Sequence, residues 1–159
     1  MGAYSFLDVQ ANIVGPGGAF AMGSGAGVAD EGITTAMAGD KNTMVTGADG
    51  TPMHSLHADK SGTVTVRLLK TSPTNAKLNS MYNLQTTSAA AHGINTIVIT
   101  NPVNGDTITC AMCAFKKHPD QVQAKDANVN EWVFDAGYID TSLGGSLLAA
   151  AFAAASNLT

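Results

Sequence analysis

Gly62-Thr-Val-Thr-Val-Arg-Leu-Leu-Lys70, running straight into Thr71-Ser-Pro-Thr-Asn-Ala-Lys-Leu-Asn79, decides the fold class. In the first half, Val64, Val66 and Leu68 alternate with Thr63, Thr65 and Arg67, the two-residue period of a half-buried strand. In the second half, Ser72 supplies an N-cap and Pro73 suits the first helical position. Leu78, Met81, Tyr82 and Gln85 then follow at i, i+3, i+4 and i+7, an amphipathic stripe that can lie on a sheet. A strand delivering its chain into one helix is therefore the centre of the molecule.

Strand signals dominate on both sides of that centre. Upstream, Tyr4 to Val14, Gly32 to Ala38, Asn42 to Thr46 and Thr51 to His57 read as extended. Gly39-Asp40-Lys41 suits a tight hairpin between the second and third of these, and Gly47 to Gly50 a turn before the fourth. Downstream, Ile94 to Thr100, Thr107 to Phe115 and Glu131 to Ile139 are extended, and Asn104-Gly105 marks a hairpin between the first two. In the last strand, Trp132, Phe134, Ala136 and Tyr138 fall on one face. The order predicts a mainly β fold, a two-sheet antiparallel β-sandwich or partly closed barrel carrying one flanking α-helix. Residues 1–145 are expected to form one domain. The Ala-rich tail 146–159 is expected to be helical from Leu147 to Ala155 and to bury itself or dock on a neighbour.

Composition narrows the function. The 159 residues carry 8 Lys+Arg against 12 Asp+Glu, a formal charge of −4, and charged residues are only 13% of the chain, about half the usual share. Arg67 is the only arginine. A nucleic-acid reader needs a basic stripe and Arg forks, which such a chain does not supply. No basic start or apolar signal core opens the sequence, and Leu147 to Ala155 is far short of the ~20 residues that span a bilayer. A soluble protein made in a cytoplasm is the expectation.

Motifs for chemistry are missing. Cys110 and Cys113 stand alone, without the further ligands of a zinc site. On an alternating strand they should point to opposite faces and serve as small packing residues. The Gly-rich stretch Gly15 to Glu31 lacks the Gly-Lys-Ser/Thr of a phosphate loop and reads as a loop ordered by a neighbour. His54, His57, His92 and His118 have no metal or acid–base spacing, with His54 and His57 facing opposite ways. The aspartates fall mostly in turns, which they favour through local hydrogen bonds. Neither an enzyme nor a cofactor or metal is expected.

With these features placed, Ser55-Leu-His-Ala-Asp-Lys-Ser-Gly-Thr-Val-Thr-Val-Arg-Leu-Leu-Lys70 leading into Thr71 to Asn79, and Asn130-Glu-Trp-Val-Phe-Asp135 leading to Tyr138-Ile-Asp-Thr-Ser-Leu-Gly-Gly145, resemble the tail tube proteins of contractile-tailed bacteriophages over residues 3 to 145. The resemblance implies a virion structural protein made in the bacterial host. It implies hexameric rings stacked into a tube, with the subunits' sheets joined around the lumen. The implied partners are further copies of the chain, sheath, tape-measure, baseplate and tail-terminator proteins, with DNA passing without specific binding. The type VI secretion tube shares the fold. Low charge suits large buried interfaces, and an Asp excess suits a lumen wall that repels a polyanion.

Subunit contacts are expected at Gly17, Gly23, Gly25 and Gly27 in the Gly-rich loop, at Asp40 and Lys41 in the hairpin turn, and at Leu147, Leu148 and Phe152 in the tail. Two rival readings remain at this point: the tube of a related secretion or tailocin-like machine, and a small-ligand-binding β-barrel using the Trp132, Phe134 and Tyr138 face.

Overall fold

The computed structural model describes residues 4–23, 28–126 and 129–143. Among these residues there are two antiparallel sheets and one α-helix, as the strand–helix centre implies. The large sheet has seven strands, β1 (Gln10–Gly15), β2 (Gly18–Ala21), β3 (Val28–Met37), β6 (Gly62–Leu69), β7 (Asn95–Asn101), β8 (Asp106–Lys117) and β9 (Val129–Ser142). Its spatial order is β2-β1-β7-β8-β9-β6-β3, and it does not close. The small sheet is a ribbon of β4 (Asn42–Thr46) and β5 (Pro52–Leu56).

Helix α1 (Thr74–Gln85) starts one residue later than the sequence places it, with Pro73 at the N-cap. The Ser72 hydroxyl accepts from the Thr74 N–H at 3.3 Å, satisfying one of the donors left over at a helix start. Leu78, Met81 and Gln85 are buried. They cover Val64, Val66 and Leu68 of β6, Ile13 of β1, Ile97 of β7, and Trp132 and Phe134 of β9, which form one core on the helix side of the sheet. Phe115 joins the aromatics edge-on to Tyr82 and Trp132. Because strand side chains alternate, the opposite face of the sheet is left with Thr34, Thr63, Thr65, Thr96, Thr100, Thr107 and Thr109.

The expected alternation fails at one place. Cys110 and Cys113 are both buried, although three apart on one strand. Met112 between them has φ 53°, a left-handed conformation, and the β7–β8 register slips between Asn95–Cys113 and Ile97–Cys110. This is a β-bulge, and it flips the parity of everything beyond it. β9 follows suit: Ala136 and Ile139 are both buried, so Tyr138 turns outward, half exposed, instead of sharing the face of Trp132 and Phe134. Gly137 opposite it leaves room for the close approach, since a Cβ would stand 3.0 Å from the Met112 Cβ and press on it.

Burial raises the Cys110 thiol from about 9 to about 11 and the Cys113 thiol to about 12. The native thiols are thus held protonated where free ones ionise, so their contribution to stability is present below pH 9 and lost as pH rises toward 11 and 12. At pH 8 the native protein is expected to resist alkylation at both positions, and to take up reagent at both once unfolded in urea. Rapid labelling without denaturant would refute this burial.

Other expectations shift in detail. The first extended segment begins only at Gln10, after a 3₁₀ turn at Phe6–Asp8 whose cap is the Ser5 hydroxyl. The Gly-rich stretch is not one loop, because β2 pairs with β1 through the register Gly15–Gly18, and β3 begins at Val28. β3 and β4 do not form a hairpin about Gly39-Asp40-Lys41. β3 pairs with β6, and β4 pairs with β5 across the Gly47–Gly50 turn.

Candidate assembly interface

Three surfaces have no partner among the described residues. The first is the pair of sheet edges. β2 and β3 lie at opposite ends of the seven-strand order, each paired on one side only. An edge strand offers a row of unused N–H and C=O groups, which proteins ordinarily blunt or pair. β3 does neither along Thr34-Thr-Ala-Met37, which has neither charge nor proline.

The short edge is held in place by a buried polar lock. Gln85 at the end of α1 and Asn95 at the start of β7 exchange amide hydrogen bonds, Gln85 Nε2 to Asn95 Oδ1 at 2.7 Å and Asn95 Nδ2 to Gln85 Oε1 at 2.6 Å. Gln85 Nε2 also donates to the Pro16 carbonyl at 2.8 Å, in the turn between β1 and β2. Every nitrogen and oxygen of the two amides has at least one partner within the chain, as buried polar groups require.

The second surface is the β4–β5 ribbon. Every residue from Ala36 to Lys60 is exposed. Within it, Met44, Val45, Met53 and Leu56 show 56, 54, 59 and 86% of their surface. Register pairs Val45 with Met53 on one face and puts Met44 opposite His54 on the other, so both faces are apolar in part. Asn42 Nδ2 lies 3.1 Å from His54 Nδ1 and Thr43 Oγ1 2.6 Å from His57 Nε2, and the two histidines do face opposite ways. A two-stranded ribbon is marginal by itself in water, so a ribbon exposed on both faces calls for a partner.

The third is the open face of the sheet. Besides its threonines it carries Arg67 donating to Glu131 at 3.3 Å, Asp140 bonded by Lys60 at 3.1 Å, and Asp135. Asp49, Asp59, Asp120 and Asp126 lie off it, outside the strands. Six of the chain's twelve acidic residues lie on strands and six off them, and on the face itself Glu131 and Asp140 are ion-paired among the hydroxyls.

Of the contact residues expected from sequence, Gly17 and Gly23 have reasons inside the chain. Gly17 has φ 99° in the β1–β2 turn, and a Cβ at Gly23 would press on the Ala11 nitrogen at 2.7 Å. Asp40 and Lys41 are exposed where the chain leaves the large sheet for the ribbon, and Lys41 Nζ donates to the His57 carbonyl at 3.0 Å. Gly25, Gly27, Leu147, Leu148 and Phe152, and with them the tail 146–159, lie outside the described residues. The ribbon's apolar residues were missed from sequence, although Met44-Val45 and Met53 beside turn residues were the available signal.

Trp132 and Phe134 are core, Trp132 with its Nε1–H on Asn75 Oδ1 at 3.0 Å, and Tyr138 is on the other side of the sheet, so the three do not line one ligand pocket. Among the described residues no three His, Cys, Asp or Glu stand together to hold a metal ion, and no helix is long and apolar enough to cross a membrane.

Comparison with known proteins bears on the same surfaces. The family model of the bacteriophage PhiTE tail tube protein matches residues 1–144. Among solved structures, a chain of the PVC extracellular contractile injection system, from its sheath–tube complex in the extended state, is similar with TM-score 0.52 and 12% identity, covering 84% of this chain and 88% of that one. A chain from that system's sheath/tube terminator gives TM-score 0.56 and 14% identity, covering 89% and 98%. A chain from the tube-terminating cap of the anti-feeding prophage gives 0.51 and 12%, covering 91% and 95%. At these identities the likeness is one of fold. No curated protein sequence matches the chain.

Proposed function

The chain belongs to the bacteriophage PhiTE tail tube protein family, and on that premise we propose that it self-assembles into stacked hexameric rings forming the inner tube of a contractile tail, the conduit for genome delivery. The observation that carries this reading is the open seven-stranded sheet with an unpaired strand at each end. Joining the β2 edge of one copy to the β3 edge of the next is a head-to-tail contact, which makes a ring when the rotation closes. Such a ring removes every edge of the large sheet at once.

In that ring the helix side of each sheet is already filled by its own core, so the Thr-rich face is the one free to line the lumen. Its compensated charges would give a polyanion little to bind and little to be repelled by, and the passage of DNA would depend on hydroxyl-lined smoothness more than on an acidic wall. Sheath, baseplate, tape-measure and terminator proteins are the partners such a tube requires, and the virion tail is its place. The fold likeness to contractile injection system tube and terminator chains supports a second reading, a tube in a related machine. The same subunit contacts would serve both.

Electron microscopy of the purified protein over a concentration series, with light scattering alongside, tests the proposal. Rings or hollow tubes appearing with concentration are expected. A protein that stays monomeric at every concentration, and also after addition of baseplate extract, would end it.

A further inference from the structure

The stretch that builds the helix layer carries no acid. Between Asp59 and Asp106 there is no Asp or Glu, on a chain whose formal charge is −4. Of the cations in that stretch, Lys60 and Arg67 pair with Asp140 and Glu131, which leaves Lys70 and Lys77 at the helix. Where α1 begins, a pocket of about 410 Å³ opens between the helix, the end of β6 and the start of β9. Its walls include Lys70, Asn75, Asn79, His118, Asn130 and Trp132, and none of its lining residues is acidic. Asp120, Asp126 and Glu131, the acids nearest in sequence, do not line it.

The walls are fixed by bonds among themselves, and those bonds leave particular donors free. Asn75 Oδ1 accepts from the Trp132 indole at 3.0 Å, and Asn75 Nδ2 donates to the Leu69 carbonyl at 2.8 Å. His118 lies edge-on to Tyr82 and Trp132, its Nε2 2.9 Å from Asn79 Oδ1 and its Nδ1 3.0 Å from the Pro119 carbonyl oxygen. Asn79 Nδ2 has no partner among the described residues. Lys70 Nζ donates to the Val122 carbonyl at 2.6 Å, which holds the ammonium in place with N–H groups to spare. Asn130 is only 8% exposed, yet its side-chain amide bonds to no described residue. Among the described residues no side-chain nitrogen or oxygen sealed from solvent lacks a partner, so the Asn130 amide opens to the pocket. Buried amides are ordinarily bonded, and one left open at a pocket wall points to a guest.

We propose that this pocket receives a carboxylate, the side chain of an Asp or Glu presented by the sheath protein that encloses the tube. One ammonium with the amides of Asn79 and Asn130 suits a single negative charge spread over two oxygens, and no acid in the wall repels it. The inference rests on the tube reading: with the Thr-rich face turned to the lumen, the helix layer faces outward, where the enclosing partner stands. The contact repeats at every subunit, so one that is weak singly holds through number.

Trp132 is the chain's single tryptophan and lines the pocket, so its fluorescence reports occupancy. The probe is a capped alanine peptide with one central glutamate, set against the same peptide with glutamine. The glutamate peptide is expected to move the emission and the side-chain amide NMR signals of Asn79 and Asn130 in the millimolar range, and the glutamine peptide to need about tenfold more. Lys70→Met and Asn130→Leu, each checked for an unchanged melting temperature, are expected to weaken binding by about tenfold. Equal responses to the two peptides, or none, would overturn the carboxylate pocket with wild-type protein alone. For the partner, Lys70→Glu protein is expected to form tubes like the wild type and to lose its sheath when assembled with the sheath protein, as seen by electron microscopy. Sheathed tubes at wild-type yield would leave a free carboxylate as the ligand and overturn the sheath as its source. Wild-type protein that forms no tube would defeat the tube reading and with it the sheath assignment, while the peptide titration still judges the pocket.

Discussion

Trp132→Ala is expected to cost about 3–5 kcal/mol of folding stability. A domain of ordinary stability holds about 5–15 kcal/mol in all, so the variant should be marginal or unfolded at 37 °C. Trp132 is 1% exposed, sits edge-on to Phe115 and His118 at centroid distances of 5.8 and 5.4 Å, and donates its indole N–H to Asn75 Oδ1. Asn75 in turn donates to the Leu69 carbonyl at 2.8 Å, so the indole links β9, the start of α1 and the end of β6. Truncation removes the largest buried side chain and leaves a cavity between helix and sheet. Trp132→Phe keeps much of the volume and loses the hydrogen bond, for about 1–2 kcal/mol. Urea unfolding followed by circular dichroism measures both. A Trp132→Ala loss below about 0.5 kcal/mol would mean that the ring is not core, and would revive the small-ligand barrel.

The second large effect should come from Gly15→Ala, a change of one methyl group on a sheet strand. The added Cβ would collide with the Asn95 side-chain oxygen, which cannot retreat because it is held by Gln85. Breaking that reciprocal pair strands buried amide groups, each at about 1–3 kcal/mol, and releases the Pro16 carbonyl of the β1–β2 turn. The expected loss is about 2–4 kcal/mol, with amide hydrogen exchange rising first in β2. Single replacements Gln85→Leu and Asn95→Leu should each cost a similar amount, and the double replacement clearly less than their sum, because an apolar pair leaves nothing orphaned. Since β2 is the short sheet edge, Gly15→Ala should also weaken ring formation more than its stability loss alone explains. Additive leucine replacements, or β2 exchange unchanged in Gly15→Ala, would refute the lock.

Local pattern was a good guide wherever one residue type meets one backbone demand. The β6 alternation, the stripe Leu78, Met81 and Gln85, and the Asn104-Gly105 turn, where Gly105 has φ 77°, appear in the fold as their sequence implies, and the helix begins within one residue of the Ser72-Pro73 signal. Each is set within a few residues of chain, by sterics and by amphipathic period. The resemblance to tail tube proteins was carried by the same central strand and helix, and the family match over residues 1–144 agrees with it.

Pairing partners were less legible. Gly39-Asp40-Lys41 has good hairpin chemistry, but β3 finds a longer and better buried partner in β6, and the ribbon closes on its own turn at Gly47–Gly50 instead. A turn signal says that the chain can bend. It does not say which strands meet after the bend, because that depends on burial summed over the whole sheet. The same limit hid the exposed ribbon: Met44, Val45, Met53 and Leu56 read as ordinary strand residues, and only the fold shows them exposed.

The sequence by itself determined the central strand and helix, the downstream hairpin and the family, since these depend on residue type and short-range period. Only the tertiary structure decided that Met112 bulges so that Cys110 and Cys113 share the core while Tyr138 leaves it, that Gln85 and Asn95 meet across ten residues, and that two sheet edges and a ribbon are unpartnered among the described residues. The physical reason is range. Periodicity assigns a side chain to a face relative to its neighbours, whereas a bulge shifts that assignment by one residue, and only the register of strands distant in sequence can reveal the shift.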